Sequence, residues 1–180
     1  MDRLLCALDY SGAARSLVLD LKLRGRPGAA LPLAARIVDL LARSGTRARA
    51  ITWVPGRPPE TRRRGFDHAA VLARAVGQRV GLPVRPLLER VGGAVDQTAL
   101  SAAERWTNLE GAFIARPCSE PALIVDDLVT TGATLSVCAQ ALVQGGCPQV
   151  EALVACGAQG TNGGSEPGYL ALNAHTSMAK

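Results

Sequence analysis

The sequence is poor in aromatic residues and in lysine. Phenylalanine, tryptophan and tyrosine make up 3% of the 180 residues, so the core must be built from Leu, Val, Ile and Ala, as in buried parallel sheets. Lysine occurs only at Lys22 and Lys180, and arginine supplies the rest of the positive charge behind a net charge of +5. This basic balance fits an anionic partner, either nucleic acid or a polyphosphate, although a GC-rich coding sequence would produce most of the same arginine excess.

Long apolar runs and closely spaced cysteines are also missing. No apolar stretch approaches transmembrane length, and the N-terminus has neither the apolar region nor the cleavage site of a signal peptide. The cysteines are odd in number and lack the spacing of a zinc or redox motif: Cys6, Cys118, Cys138, Cys147 and Cys156. We expect them to be reduced, buried and inert, which indicates a cytoplasmic protein.

Apolar residues are nevertheless abundant, at 48%, and permit a domain with a sizeable core. Their periodicity predicts helices over 9–24, 31–42, 66–80, 102–109 and 133–144, and strands over 49–54, 84–91, 111–115, 121–125 and 149–155. Alternating strands and helices predict an α/β fold with a mainly parallel central sheet flanked by helices. Residues 1–157 would form this domain, and the glycine-rich residues 158–180 a flexible tail.

Segment 123–134 carries the clearest chemical signal. An apolar strand leads into Asp126 and Asp127, a hydroxyl-rich turn follows, and a helix then begins. Ligands collect at the carboxyl ends of parallel strands, and a helix start offers unpaired N–H groups and a positive dipole end. A phosphate-binding cup is therefore predicted, in which the glycine allows close approach of the backbone; it comprises Thr130, Thr131, Gly132, Ala133 and Thr134.

The two acids beside this cup need another ligand, because carboxylates repel phosphate. Vicinal ribose hydroxyls or a bound Mg²⁺ are the natural candidates for Asp126 and Asp127. A phosphate cup next to paired carboxylates indicates a ribose 5-phosphate. The alternatives are a solvated turn or a Walker B strand end, but the G-x-x-x-x-G-K-[ST] partner of a Walker B is absent.

Four apolar residues, two acids and Thr-Thr-Gly-x-Thr resemble the phosphoribosyl pyrophosphate signature of type I phosphoribosyltransferases. Further motifs, in their order and spacing, resemble the ComF family, which is named for a role in competence. They are Lys22, Val54-Pro55, Arg57, Arg64-Gly65-Phe66, Gln97-Thr98, Leu100-Ser101, Glu104-Arg105, Asn108 and Gly111-Ala112-Phe113. The resemblance covers residues 10–155 and implies the type I phosphoribosyltransferase fold, with a small hood region over residues 97–108; an ordinary surface connection there is the alternative.

The sequence departs from the ComF pattern at three places. The usual Arg-Gly-Phe-Asn-Gln ends here in Asp67 and His68, and the usual Pro-Val-Pro strand end reads Trp53-Val54-Pro55. ComF-like chains often begin with a four-cysteine zinc ribbon, and we expect this chain to lack that module because only Cys6 occurs there.

The resemblance also implies roles for the basic loop after the first predicted strand. Pro55, Gly56 and Arg57 would hold pyrophosphate, with the Gly56 N–H exposed to an oxyanion and Arg57 or Arg64 making bidentate contacts. For Arg62 and Arg63, a solvated basic loop is an equally good interpretation.

The implied reaction is transfer of the phosphoribosyl group from phosphoribosyl pyrophosphate to an unidentified nitrogen nucleophile, a nucleobase or an amine, with release of pyrophosphate. Asp126 and Asp127 would be catalytic, holding the ribose hydroxyls and easing positive charge on the ring, and would meet Mg²⁺ indirectly through ribose or water. Such an enzyme would act in nucleotide metabolism and, by analogy, as a homodimer.

Two further interpretations remain open. The fold could serve as a non-catalytic nucleotide- or single-stranded-DNA-associated module in competence and DNA uptake, with the basic cluster 57–64 contacting phosphates, although few aromatic residues are available for base stacking. His68 is a candidate proton carrier by residue type, but its place in the first turn of a predicted helix favours a surface or capping histidine.

Overall fold

The computed structural model describes residues 1–91 and 111–158. Within these ranges a short 3₁₀ turn, Pro27–Ala29, precedes the second helix. The strands and helices, in chain order, are β1 (Arg3–Asp9), α1 (Gly12–Lys22), α2 (Ala30–Ser44), β2 (Ala50–Trp53), α3 (Pro58–Arg64), α4 (His68–Val80), β3 (Leu88–Arg90), β4 (Phe113–Ala115), β5 (Ala122–Val129), α5 (Ala133–Gln144) and β6 (Val150–Gly157).

The central sheet has four parallel strands in the order β1–β6–β5–β2. The central strand β6 is buried along its whole length, and Glu151 is its one charged residue. The parallel arrangement confirms the predicted sheet. Because all four strands run the same way, their carboxyl ends share one edge, where the loops after β2 and β5 meet.

Helices cover both faces of the sheet, as predicted. On one face, α1, α2 and α4 enclose a core that includes Leu33, Ile37 and Leu72, all fully buried. On the other face, α5 packs with the two-stranded antiparallel ribbon β3–β4 around Ile124 and Leu142. Each large apolar side chain buried in this way contributes about 1.5–3 kcal/mol relative to its exposed state.

Most predicted elements are confirmed to within two residues, namely α2, β2, α4, β4, α5 and β6. The sequence analysis missed β1, and the helix predicted over 9–24 is correspondingly shorter, because residues 3–9 form a strand. This strand is stabilised by pairing with β6, which lies almost 150 residues further along the chain, as the register Arg3 to Glu151 shows. No local pattern reveals such a pairing.

Two other predicted strands differ from the structure. The strand predicted over 121–125 continues to Val129, so Asp126 lies within β5. The strand predicted over 84–91 is split: Val84 makes only an isolated bridge to Ile51, and β3 begins at Leu88. Pro86 between them has no N–H to donate to a ladder.

The basic segment after β2 is predicted to be a loop, but it forms the helix α3, with Pro58 in its first turn and Glu60 near its N-terminus. The predicted helix 102–109, the predicted hood 97–108 and the predicted tail beyond residue 158 lie outside the described residues. In residues 1–91 and 111–158, no helix is both long and apolar enough to span a bilayer.

The five cysteines all lie in the described part of the chain and are free, as expected. Cys118 is half-buried, and the other four are buried. Burial raises the pKa of the Cys6 thiol to about 11 and the pKa of the Cys156 thiol to about 12, so both thiols stay protonated at neutral pH.

Candidate functional site

A cavity of about 290 Å³ opens at the carboxyl ends of β2 and β5. Its walls are the β2–α3 loop with Pro55, Gly56 and Arg57, the turn from β5 into α5, and the side chain of Asp126. The structure therefore brings together the predicted phosphate cup, the predicted pyrophosphate loop and one of the two predicted acids, although some 70 residues separate them in sequence. The cavity is of the size at which pockets for small ligands begin.

The predicted phosphate cup is the start of α5. Gly132 adopts the left-handed conformation, φ 77°, which turns the chain from β5 into the helix and which side chains rarely adopt. The first intrahelical bond runs from the Ser136 N–H to the Gly132 carbonyl, 2.9 Å. The N–H groups of the first turn therefore have no acceptor within the helix, and the residues that carry them line the cavity together with Thr130 and Thr131.

The two acids of β5 have different surroundings. Asp126 lines the cavity, and its Oδ1 accepts the backbone N–H of Asp127 at 2.9 Å. Asp127 is 1% exposed; its Oδ1 lies 3.5 Å from Lys22 Nζ and 3.6 Å from His68 Nε2. Among the described residues, its Oδ2 is buried without a hydrogen-bond partner.

These surroundings shift the two carboxyl groups in opposite directions. Burial, reinforced by the charge of Asp127, raises the pKa of Asp126 well above its usual range. Burial also opposes ionisation of Asp127, but the polar interaction with His68 and the charge of Lys22 outweigh it and hold the pKa of Asp127 below its usual value. Asp127 is therefore the fixed anion, and Asp126 is the carboxyl that gains most from a cation or a hydroxyl in the cavity.

His68 is the residue that sequence reasoning placed wrongly. It does lie in the first turn of α4, but its side chain is buried, and Asp67 caps the helix instead. Arg64 Nη1 lies 2.8 Å from His68 Nδ1. Since arginine can only donate, Nδ1 accepts, and the neutral ring carries its proton on Nε2, the nitrogen that faces Asp127.

The pyrophosphate loop departs from expectation at Gly56. Its N–H, which the sequence analysis expected to face an oxyanion, donates to Asp67 Oδ2 at 3.0 Å. Arg57 lines the cavity as expected. Arg64, in contrast, is absent from the cavity wall in the part of the chain that the structure describes, because its guanidinium is drawn to Glu60 Oε2, at 3.2 Å, and to His68.

Two cationic side chains complete the cavity wall. They are Lys22, which the sequence analysis gives only as part of the family resemblance, and Arg90, which it does not identify as a site residue. The Arg90 guanidinium stacks over the Phe113 ring at 4.4 Å, and its Nε donates to the Pro55 carbonyl at 3.3 Å. No local signal marks Arg90, because its position depends on the pairing of β3 with β4.

Comparison with known proteins identifies relatives of this chain. No family model matches the sequence. The chain is 32% identical over 162 residues to the DNA utilization protein YhgH of Salmonella typhimurium, across 86% of this chain and 71% of that protein. This chain belongs to the YhgH family. The YhgH protein of Salmonella typhi matches over the same length with the same identity.

Solved structures show the fold of this YhgH-family protein. The allosteric regulatory enzyme of purine biosynthesis matches with a TM-score of 0.52 and 17% identity, over 77% of this chain and 30% of that one. The glutamine phosphoribosylpyrophosphate amidotransferase of B. subtilis matches with a TM-score of 0.50 and 16% identity, over 86% and 32%. This chain thus spans about a third of the length of these enzymes. The predicted type I phosphoribosyltransferase fold is confirmed.

The acids of this YhgH-family protein suit Mg²⁺ better than a transition metal. His68, Asp126 and Asp127 place ligand atoms within 4.8 Å of one another, the spacing of a metal centre. His68 cannot ligate while Arg64 donates to Nδ1, because the remaining nitrogen then carries the proton. The two carboxylates alone are the oxygen ligands that Mg²⁺ prefers, and Mg²⁺ commonly keeps waters and substrate phosphates as its other ligands.

Proposed function

We propose that this protein is a ComF-type phosphoribosyltransferase, which binds phosphoribosyl pyrophosphate with Mg²⁺ and transfers the phosphoribosyl group to a nitrogen nucleophile. The observation that supports this proposal best is that one cavity is lined by the N-terminus of α5, the carboxylate of Asp126 and the cations Lys22, Arg57 and Arg90. A helix start and hydroxyls suit a phosphate, a carboxylate suits ribose hydroxyls, and the cations suit a pyrophosphate. Phosphoribosyl pyrophosphate carries all three groups.

The 5-phosphate would bind the first-turn N–H groups of α5 and the hydroxyls of Thr130, Thr131 and Thr134. Asp126 would accept from the ribose hydroxyls, while Lys22 and His68 keep Asp127 ionised next to it. The binding energy of the phosphate, which does not react, then orients carbon 1 toward the opposite wall.

The pyrophosphate would leave along the wall formed by Pro55, Arg57 and Arg90. Two guanidinium groups there would offset the negative charge that develops on the departing oxygen. Bound Mg²⁺, held by Asp126 and Asp127 through ribose or water, would supply further neutralisation of the pyrophosphate. Arg90 is pre-oriented for this task by Phe113 and by the Pro55 carbonyl.

At carbon 1, the bond to the pyrophosphate oxygen breaks with its electron pair, and a bond to nitrogen forms. The nitrogen, from a nucleobase or an amine, loses a proton to solvent. Positive charge on the ring during this exchange would be eased by the carboxylates of Asp126 and Asp127. No covalent intermediate with the protein is required.

A second candidate function is a nucleotide- or single-stranded-DNA-associated module without turnover, acting in competence or DNA uptake. The name of the Salmonella relative, DNA utilization protein, favours it. The exposed side chains of Arg62 and Arg63 on α3 are available to phosphates. If these residues bind DNA, replacing both with alanine would reduce the slope of log affinity against log salt by about 2, with no effect on phosphoribosyl pyrophosphate.

Calorimetric titration of phosphoribosyl pyrophosphate with and without Mg²⁺ tests the first proposal. The intact protein should bind in an Mg²⁺-dependent manner, and the double variant Asp126→Asn, Asp127→Asn should not. Asp39→Asn is the matched control, because Asp39 is exposed on α2 and its carboxylate pairs with the exposed Arg36. Nucleobases and amines would then be screened for pyrophosphate release.

Absence of binding by the folded intact protein would refute the transferase proposal and leave the DNA-associated module to be tested. Binding without pyrophosphate release from any acceptor would support recognition without turnover. We further propose a cytoplasmic location, because free thiols suit a reducing compartment. A homodimer remains a prediction, which sedimentation velocity tests directly.

A further inference from the structure

Asp67 holds more N–H groups than a helix cap requires. Its Oδ1 accepts the N–H groups of Ala69, at 3.1 Å, and Ala70, at 3.4 Å, which is the ordinary capping contact at the start of α4. Its Oδ2 accepts the Gly56 N–H, at 3.0 Å, and the Trp53 indole N–H, at 3.3 Å. One carboxylate thus joins the helix to the loop after β2.

Only a carboxylate can make this set of contacts. All four partners are donors, two on each oxygen. An amide side chain has one oxygen, so it could cap α4 but would direct its NH₂ group at Gly56 and Trp53, donor against donor. A serine could cap the helix but is too short to reach the loop. The Asp67 carboxylate therefore suits the N–H donors of the loop as well as those of the helix.

The loop is also packed directly against Asp67. A Cβ on Gly56 would lie 2.9 Å from Thr61 Oγ1 and 3.6 Å from Asp67 Cγ, so Gly56 is seated on α3 and on the cap of α4. Its N–H is directed to a fixed internal anion. A pyrophosphate that approaches this loop meets the charge of Asp67 and an N–H that is already occupied.

The phosphate cup differs, because its Ala133 N–H meets the neutral hydroxyl of Thr131, at 3.4 Å, rather than a carboxylate. It lies at the start of α5, across the cavity, and none of the contacts of Asp67 involves it. Asp67 therefore acts on the pyrophosphate half of a ligand and spares the ribose 5-phosphate half. Arg57 and Arg90 line the same wall of the cavity as Gly56.

We propose that Asp67 is a specificity-determining residue. It weakens the binding of a diphosphate on carbon 1 and leaves unchanged the binding of the ribose 5-phosphate that all ligands of the site share. The inference rests on the proposed function. The cations of the site alone would favour phosphoribosyl pyrophosphate over ribose 5-phosphate compounds that lack a diphosphate on carbon 1, such as nucleoside monophosphates. Asp67 makes this difference in affinity smaller. Phosphoribosyl pyrophosphate reaches full contact only after the loop releases Asp67.

The test compares ribose 5-phosphate and phosphoribosyl pyrophosphate, both with Mg²⁺, by calorimetry on the intact protein and on Asp67→Asn. The variant should gain about tenfold or more in affinity for phosphoribosyl pyrophosphate relative to ribose 5-phosphate, the value of one hydrogen bond to a charged group. Asp67→Ser should show the same change while keeping the helix cap. Binding of ribose 5-phosphate shows that each variant is folded.

Glu60→Gln is the matched control. Glu60 lies on the same cavity wall, so this change removes one negative charge without freeing the Gly56 N–H. A gain of equal size in Glu60→Gln would overturn the inference, because loss of any carboxylate would then suffice. An unchanged ratio in both Asp67 variants, with ribose 5-phosphate still bound, would overturn it as well. Failure of every protein to bind ribose 5-phosphate would refute the proposed function itself.

A second measurement does not depend on altering Asp67. In nitrogen-15 NMR spectra, phosphoribosyl pyrophosphate should shift the Gly56 amide and the Trp53 indole N–H, because both lose the same acceptor oxygen. Ribose 5-phosphate should leave both resonances in place. The Trp53 signal is distinguished from that of Trp106 by the change Trp106→Phe. Identical spectra with the two ligands would overturn the inference.

Discussion

Arg64 donates a hydrogen bond from Nη1 to His68 Nδ1 over 2.8 Å, and this contact decides which nitrogen of the ring faces the acids. With Nδ1 as acceptor, the proton of the neutral ring lies on Nε2, 3.6 Å from Asp127 Oδ1. Arg64 is held in turn by Glu60. A continuous series of polar contacts therefore links Glu60, on the cavity wall, to Asp127.

Replacing His68 tests this series. His68→Leu leaves the Arg64 guanidinium and the Asp127 carboxylate without their common partner, so we expect it to lower the free energy of unfolding by about 1–3 kcal/mol. His68→Gln can accept from Arg64 and donate to Asp127, and should retain most of the stability and of the phosphoribosyl pyrophosphate affinity. Urea unfolding and calorimetry measure both. Equal losses in the two variants would show that His68 contributes by packing alone.

The adjacent acids should respond to amide substitution with opposite signs. Ionised Asp126 costs stability, because its pKa is raised in the fold, whereas ionised Asp127 adds stability, because its pKa is lowered. At pH 7 we expect Asp126→Asn to stabilise the protein by about 1 kcal/mol and Asp127→Asn to destabilise it by about 1–3 kcal/mol. Urea unfolding measures both changes. A loss of stability in both variants would contradict the assignment.

The dependence of stability on pH follows from the same shifts. The contribution of Asp127 is complete above its unfolded pKa, about 3.9, and is lost as pH falls through its lower folded pKa. The penalty from Asp126 accumulates as pH rises above the unfolded pKa and is complete above its raised folded pKa. Above the unfolded pKa, where the contribution of Asp127 is already complete, the free energy of unfolding should therefore fall with rising pH in the intact protein but not in Asp126→Asn. Parallel pH profiles would contradict this.

The phosphate cup is tested by Gly132→Ala. A side chain at φ 77° strains the backbone by about 1–2 kcal/mol, and the added methyl group lies at the cup where the phosphate would bind. We expect reduced stability and loss of ribose 5-phosphate binding. The control is Gly25→Ala, since Gly25 has φ 65° with open space around it and does not line the cavity. Gly25→Ala should lower the free energy of unfolding but still bind ribose 5-phosphate. Loss of ribose 5-phosphate binding in both variants would refute the role of the cup.

Arg90 is expected to contact the pyrophosphate. Arg90→Lys keeps the positive charge but loses the planar group stacked on Phe113 and the bond to the Pro55 carbonyl. Affinity for phosphoribosyl pyrophosphate should fall about tenfold, with ribose 5-phosphate unaffected. Arg85→Lys is the control, because Arg85 forms an exposed ion pair with Glu120. Equal affinity losses for both ligands would place Arg90 elsewhere in the site.

Local signals were enough to predict α5 and the loop before it. The apolar run of β5, the glycine at position 132 and the double glycine after Gln144 each act within a few residues, so the helix boundaries were predicted without error. Local reasoning failed where partners are distant. β1 depends on pairing with β6, and Arg90 depends on Phe113 across the antiparallel ribbon.

The site shows the same division. The predicted phosphate cup and the paired acids lie in consecutive residues, so the sequence by itself determined that they are adjacent, and it also determined the parallel fold. Which acid is ionised, which histidine nitrogen carries the proton, and whether the Gly56 N–H is available were decided only by the tertiary structure. The ionisation of Asp127 depends on a contact with the distant Lys22. The other two depend on how the loop after β2 and the helix α3 pack against the start of α4, through Gly56 and Asp67 and through Arg64 and His68. Burial then amplifies these contacts, since charges and hydrogen bonds act most strongly where water is excluded.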